Sequence, residues 1–368
     1  MATLYVTEPG SRVEKDHGRL LVTKDDEVLL AAPLAHVTEV VLMGGTGLTT
    51  PAMLALLDAG VSVSLISAQG KLRGRLIAAE ARNLPLRHKQ YAASSSEKFC
   101  REISRAIVLG KLKNCRTLAR RLARARTTAD NRPQTADDGR QTADDGPQTA
   151  DRPTDGGRPP TADTLTADAL IARLTDSIQK ARMARDVAEL RGLEGNAAKA
   201  YFALLRAALR PELSFEKRTR RPPKDPANAL LSLAYSLLTN AVFTACEVAG
   251  LDPYDGFFHA DKYGRPALAL DLVEEFRPIV ADSVVLTVVN NRMLGPDDFE
   301  TGEDGGVFLA RRGRRIFLQQ FSRRLNTEVL HPQAGRALSY QKVFEVQARQ
   351  LRKCIESGEP NYQPFLAR

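Results

Sequence analysis

The chain is poor in cysteine, with only Cys100, Cys115, Cys246 and Cys354 in 368 residues. No two of them form a CxxC pair, so a cysteine-built zinc site and a disulfide framework are both disfavoured. No unbroken apolar run approaches the roughly 18 residues of a membrane span. The start, MATLYVTEPGSRVEKD, has no basic head, long apolar middle or small-residue cleavage site. A cytoplasmic location and no membrane partner are the expectations. A Walker lysine, an HExxH pair and a Ser/His/Asp arrangement are also missing. Gly44-Gly45-Thr46-Gly47 follows an apolar run but reads as a turn.

Basic charge is what the chain has in excess. The formal charge is +9, yet residues 127–163 alone hold eight aspartates and four arginines, so the remainder carries +13. A basic body points to a polyanion, most simply nucleic acid. Residues 127–163 contain near-copies of a unit, QTADDGR, QTADDGP and QTADRPT, and no Val, Ile, Leu, Met, Phe or Tyr. Such a segment has nothing to bury against its ordering entropy, so a disordered acidic loop is expected there.

The first 85 residues read as a small β domain. LYVTEP, RLLVT and VLLA look like short strands, with Asp25-Asp26 as a hairpin turn; VTEVVLM and VSVSLIS follow. Thr50-Pro51 opens a short helix. Residues 86–96 are assigned to an interdomain linker, where Arg87 and Gln90 would hold the two parts together. From 97 to 368 helical periodicity dominates, beginning with a serine N-cap before Glu97. The fold class is α+β: an N-terminal, sandwich-like β domain joined to a larger all-α domain. Between 101 and 126 the first long helix carries nine Lys/Arg and one acid, which favours a DNA-facing surface over an ordinary mixed-sign face.

Three places put an acid or a histidine in apolar company. Glu194 shares a helical face with Ala197, Ala198, Tyr201 and Leu205, and a carboxylate there must be paired, protonated or metal-bound. Taken alone, a boundary glutamate paired with a nearby arginine is the better reading. His259 follows Phe257-Phe258, and a lone histidine is more often structural. Asp271 and Glu274, in ALALDLVEEFRP, match a capping box with Asp271 as N-cap, while Glu274 points one turn further on. Glu275 should face away. Together Glu194, His259 and Glu274 make a carboxylate–imidazole set suited to Mg²⁺ or Mn²⁺, which polarises a phosphodiester. Basic runs fit a DNA path or a solvated surface: Arg218, Arg220 and Arg221, then Arg311, Arg312, Arg314 and Arg315. Tyr201 and Tyr235 are auxiliary candidates near the scissile strand, or core tyrosines.

FEKRTRRPPKDPANALLSLAYSLL followed by GLDPYDGFFHADKYGRPALALDLVEEFRP closely resembles the core of the CRISPR-associated integrase family, the first of the two universal adaptation proteins. LEGNAAKAYF resembles that family's upstream glutamate motif. The resemblance covers nearly the whole chain except 127–163. It implies an N-terminal β domain that dimerises and a helical catalytic domain. It implies metal ligands and catalytic residues at Glu194, His259 and Glu274, with Asp271 assisting. It implies double-stranded DNA (spacer precursor and CRISPR repeat), a homodimer and the small second adaptation protein as partners. The implied reaction is attack of a spacer 3′-hydroxyl on a repeat-end phosphodiester. The competing readings are a stand-alone metal-dependent nuclease, a transposon-type integrase and a non-catalytic DNA-binding scaffold.

Overall fold

The structure is a computed structural model and describes residues 2–68, 70–78, 83–130, 167–259 and 262–367. Its first part contains β1 (Ala2–Val6), β2 (Arg12–Asp16), β3 (Arg19–Lys24), β4 (Glu27–Pro33), β5 (Val37–Met43), β6 (Gly47–Leu48), helix α1 (Thr50–Asp58), β7 (Ser62–Ile66) and β8 (Leu72–Leu76). Two four-stranded sheets result. One has the order β1-β5-β7-β8 and the other β4-β3-β2-β6. Asp25 and Asp26 both take positive φ, at 49° and 64°, as a two-residue hairpin turn between β3 and β4 requires.

Val6, Val13, Leu20, Val22, Val40, Leu42 and Val63 fill the space between the sheets and α1. The first sheet is covered on its other face as well. Val41, Met43 and Ile66 belong to the core of the helical part. Burial on both faces explains why VTEVVLM reads as a near-continuous apolar run rather than an alternating one. The exception in that run is Glu39. It is buried and accepts hydrogen bonds from Ser64 and, on the helical part, Asn240 and Thr244.

The helical part comprises α2 (Leu84–Ser94), α3 (Glu97–Asp130), α4 (Ala167–Met183), α5 (Val187–Ala208), α6 (Pro226–Val248), α7 (Ala267–Phe276), α8 (Ser283–Asn290), α9 (Arg311–Leu325) and α10 (Tyr340–Ser357). It also carries two short hairpins, β9 (Phe299–Thr301) with β10 (Val307–Leu309), and β11 (Glu328–His331) with β12 (Arg336–Ser339). The stretch assigned to a linker, 86–96, lies mostly on α2. There Gln90 holds the backbone of Asp252 and Asp255, while Arg87 is exposed. Ser96 accepts from the Phe99 backbone at the start of α3, in keeping with its N-cap position in the sequence. The helical pattern of 169–190 breaks in two, because Asp186 accepts from Glu189 N–H at 2.8 Å and caps a new helix.

Two expectations are corrected. Residues 127–130, assigned to the acidic repeat segment, are the end of α3. Extending a formed helix gains one hydrogen bond per residue fixed, so a local change of composition need not stop it. The rest of that segment, 131–163, lies outside the described residues. The second correction concerns the basic face of α3. Ile103, Ile107, Leu112 and Cys115 are buried, and Lys111 is buried with them. Arg105 donates to Ala184 O at 2.6 Å and also pairs with Glu102. Packing by α4, α5 and α7 therefore claims much of a helix whose charge alone suggested a free surface.

One described helix, Pro226–Val248, is long and apolar enough to cross a membrane, but 78% of its most apolar window is buried inside the protein. It is the central core helix.

Candidate metal centre

Helices α3, α5 and α7 meet at one place, and each brings a charged side chain to it. From α3 comes Lys111, from α5 Glu194, and from α7 Glu274. The Lys111 ammonium contacts Glu194 Oε1 and lies 2.6 Å from Glu274 Oε2. Gly110 makes room on α3 for the C-terminal tail: a Cβ there would sit 2.5 Å from Pro364 and 3.3 Å from Glu275.

His259 arrives on the loop between α6 and α7. Its Nε2 lies 3.7 Å from Glu274 Oε1. Three elements hold that loop. Ser104 of α3 donates to Phe257 O at 3.0 Å. Arg191 of α5 donates to Phe258 O at 2.8 Å. Asp271 of α7 accepts from the backbone N–H groups of Phe257, Phe258 and His259 at 2.7, 2.9 and 2.9 Å. Gly256 is needed for the approach, since a Cβ would fall 2.7 Å from the Ala267 carbonyl carbon. Asp271 thus corrects the capping-box reading. Helix α7 starts at Ala267, after Pro266, which leaves Asp271 inside it. Its carboxylate caps the incoming loop instead of its own helix.

Glu275 faces away from the cluster, as its sequence offset requires. It accepts from Tyr362, from Gln347 at 3.2 Å and from Phe365 N–H at 2.7 Å. Burial pushes its carboxyl up to about 8, against the pull of those donors.

Glu274 has the opposite environment. Burial favours its neutral form, but the charges of Arg277 and Lys111 outweigh this and hold it at about 2. Arg277 Nη1 lies 3.3 Å from Glu274 Oε1. Burial opposes the Lys111 ammonium, and Glu274 and Glu194 reverse that and raise its pKa.

Beyond Glu274 the helix widens into a π turn over Arg277–Asp282 before α8 continues. Asp282 lies eight residues after Glu274. At about 100° per residue an unbroken α-helix would set it roughly 80° round the axis. The extra residue of a π turn returns it to within about 20° of the Glu274 face. Tyr201 donates to Asp282 Oδ2 at 2.6 Å and Tyr235 to Oδ1 at 2.7 Å. Burial lifts Asp282 to about 6 against those two hydroxyls. Both tyrosines are raised well above their usual range, first by burial and then by the Asp282 charge. They belong to an inner layer behind Lys111, and Arg277 lies over the Tyr235 ring at 4.9 Å.

Arg220, Arg221, Arg311, Arg312 and Arg315 are exposed. Arg218 is committed: it donates to Asn228 Oδ1 at 2.7 Å and to Ser232 at 3.2 Å, beside the Tyr235 ring. Arg311 pairs with Glu8 of the β part, and Arg312 with Asp298 at 2.7 Å. Arg314 donates to Leu309 O at 3.1 Å.

Carboxylate oxygens on two helices plus an imidazole nitrogen are a donor set that suits a hard divalent cation. Glu274 Oε2 and Arg277 Nε are buried here without a properly directed hydrogen bond, and Oε2 lies beside the Lys111 ammonium. Among the described residues, no three His, Cys, Asp or Glu side chains close into a ready coordination shell. At this place Lys111 stands between the two glutamates and takes the cationic position itself.

Three of these residues do not stand out as site residues in the sequence. Lys111 has a usable signal there: it falls on the apolar stripe Ile107, Cys115, Leu118. Asp282 has one too, as a lone acid in the apolar run from Ile279 to Val289. Arg277 has none.

A family model described as CRISPR associated protein Cas1 matches residues 4–152 and 158–323. A CRISPR-associated endonuclease Cas1 of Thermus thermophilus is 35% identical over 371 residues, covering 100% of this chain and 98% of that protein. The chain belongs to the CRISPR-associated Cas1 family. It is also 36% identical to a Cas4/Cas1 exonuclease–endonuclease fusion of Geobacter sulfurreducens over 99% of its length, but spans only 60% of that longer protein. Among solved structures, a casposase bound to integration product superposes with a TM-score of 0.78 at 22% identity, covering 99% of this chain and 93% of that one. A CAS1 protein from Thermotoga maritima gives 0.74 at 22% identity over 100% and 99%. These two likenesses establish the Cas1 fold: a strand-rich N-terminal part and a larger helical part.

Proposed function

We propose that this Cas1 family member is a divalent-metal-dependent DNA endonuclease and integrase that inserts spacer DNA into a CRISPR array. One observation carries the reading. Glu194 and Glu274, from two helices, share one cationic position, and His259, from a loop, lies with its Nε2 3.7 Å from Glu274 Oε1, beside an otherwise basic body.

These three residues would hold Mg²⁺ or Mn²⁺. Bound there, the ion supplies Lewis-acid polarisation of a phosphodiester. The remaining work falls to the chain's own groups. Asp271 fixes the imidazole with Nδ1 protonated, because a carboxylate can only accept, and this leaves the Nε2 lone pair toward Glu274. Arg277 balances the inner side of Glu274 and keeps it ionised. Arg220, Arg221 and Arg315 offer exposed cations to phosphates, which position DNA without reading its sequence.

In the reaction, a spacer 3′-hydroxyl oxygen bonds to a repeat phosphorus as that phosphorus loses its bond to the neighbouring 3′-oxygen. The hydroxyl proton lost at one end is regained at the other, and the number of phosphodiesters is unchanged. Hydrolysis is the same displacement with water as nucleophile.

The partners in this reading are double-stranded DNA, a second copy of the chain joined through residues 1–85, and the small Cas2 protein. Relatives named as endonucleases along their full length and a Cas1 fold found in a Cas6-RT-Cas1–Cas2 complex support it. The test is strand transfer of a labelled duplex into a repeat-bearing plasmid with Mg²⁺ or Mn²⁺. Wild type should join the strands only with metal. The Glu194→Gln, His259→Ala and Glu274→Gln variants should each lose the product. Product formed without metal, or undiminished in all three variants, would remove the proposal.

A further inference from the structure

Lys111 has a place in the cluster that no motif assigns. A buried ammonium is costly unless it is paired and hydrogen-bonded. Here the side chain is 10% exposed and both of its partners are carboxylates, Glu194 and Glu274. Those are the two acids offered above to a divalent cation. Glu274 does not depend on Lys111 alone for a counter-charge, since Arg277 lies 3.3 Å from its other oxygen. Glu274 Oε2 is held by the 2.6 Å charge pair with Lys111, so this oxygen becomes available to another cation when Lys111 withdraws.

The ammonium has somewhere to go. A cavity of about 20 Å³ adjoins it, lined by Lys111, Cys115, Tyr201, Tyr235, Arg277 and Asp282 among others. Asp282, fully buried, lines the same cavity as Lys111. A lysine stem is flexible, with three donors on a freely rotating head, and can turn between neighbouring acceptors.

We propose that Lys111 is the resident counter-ion of the metal carboxylates: it holds Glu194 and Glu274 together until a divalent cation displaces it, and then turns toward Asp282. This rests on the metal-site reading above. It makes metal entry an exchange of one cation for another. The two acids are never left to repel each other, and the site keeps its shape before metal arrives. The apparent affinity is lowered by the fraction of molecules in which Lys111 is withdrawn. Lys111 is accordingly a positioning residue, and its role is read by metal binding rather than by turnover.

The experiment titrates Mn²⁺ alone, by calorimetry, into the full chain without DNA, and measures melting temperature with and without Mn²⁺. Lys111→Met should bind Mn²⁺ about tenfold tighter than wild type or better, as removal of a competing state requires. Without Mn²⁺ it should melt lower than wild type, and saturating Mn²⁺ should close that gap. Lys111→Arg, whose guanidinium stays wedged between the acids, should bind Mn²⁺ more weakly than wild type. A folded Lys111→Met with unchanged or weaker affinity overturns the proposal. If Lys111→Met does not fold, Lys111→Arg decides, and an affinity equal to or above wild type overturns it. Glu274→Gln separates the premise from the inference. If Glu274→Gln binds Mn²⁺ as wild type does, the metal site itself is misplaced. If Glu274→Gln loses binding while Lys111→Met gains nothing, only the role of Lys111 falls.

Discussion

Asp271 Oδ1 lies 2.7 Å from His259 Nδ1 and 2.9 Å from the backbone nitrogen of the same residue. One carboxylate oxygen therefore holds both the ring and the chain of the histidine, while Oδ2 takes the two N–H groups before it. The ring is oriented before any substrate or metal arrives. Preorganisation of this kind keeps a ligand's rotamer from being chosen at the moment of binding.

Replacing Asp271 by Asn should expose that dependence. The amide has one accepting oxygen where the carboxylate has two, and its NH₂ would face N–H donors. Mn²⁺ affinity should fall by about 10–100-fold, the usual effect of losing an outer-sphere partner of a metal-bound histidine. The helical circular-dichroism signal should be retained, because Asp271 caps a loop rather than its helix. Unchanged Mn²⁺ affinity in the folded variant would contradict the ring-holding role.

Affinity and chemistry should separate along the division among the arginines. His259→Ala should abolish strand transfer while duplex affinity stays within a few-fold. Arg220→Ala, Arg221→Ala and Arg315→Ala together should weaken binding and flatten the salt dependence by about 0.9 for each phosphate no longer neutralised. Arg311→Ala and Arg312→Ala should affect binding less, since Glu8 and Asp298 already engage those side chains. Binding titrations over a salt series check this. An Arg311/Arg312 pair that dominated the slope would reverse the assignment.

Glu275 supplies a pH test of stability. Its folded value near 8 lies above an unfolded value near 4.5. Between those two values the folded state holds the extra proton, so stability falls as pH rises. Lowering pH from 8.5 toward 5 should raise the melting temperature through this group (on the order of a few degrees). Glu275→Gln mimics the neutral acid and should remove that slope. Glu275→Ala leaves the Phe365 N–H and the Tyr362 hydroxyl without their acceptor and should cost about 2–4 kcal/mol, read by denaturant melts. A slope that persists above about pH 7 in Glu275→Gln would assign it to another group, since Asp282, raised to about 6, contributes only below that.

Gly256→Ala tests the loop approach. A Cβ 2.7 Å from the Ala267 carbonyl carbon and 2.8 Å from Leu268 N cannot be accommodated without moving backbone. The loop carrying His259 should shift, with a stability loss of about 1–3 kcal/mol and weaker Mn²⁺ binding. Wild-type melting and metal affinity together would show that the loop can yield without disturbing the histidine.

Several features were legible because they are local. The Asp25-Asp26 turn follows from a two-residue gap between alternating strands. The opposed directions of Glu274 and Glu275 follow from about 100° of rotation per helical residue. Glu194, His259 and Glu274 stand out because each is polar in apolar surroundings, and burial of such groups demands a partner. Asp271 misled for the same local reason. Its D-x-x-E spacing satisfies a capping motif, and nothing along the chain says that α7 begins four residues earlier and that the cap serves a loop folding back from position 257. Lys111 is one of nine basic residues between 101 and 126, set apart in the sequence only by its place on the apolar stripe of Ile107, Cys115 and Leu118. Only the packing of α3 against α5 and α7 turns that one toward two carboxylates and leaves others toward solvent. Composition and periodicity determine which residues cannot rest alone. Which group answers each of them is a matter of distance between elements far apart in the chain, and tertiary structure alone sets that distance.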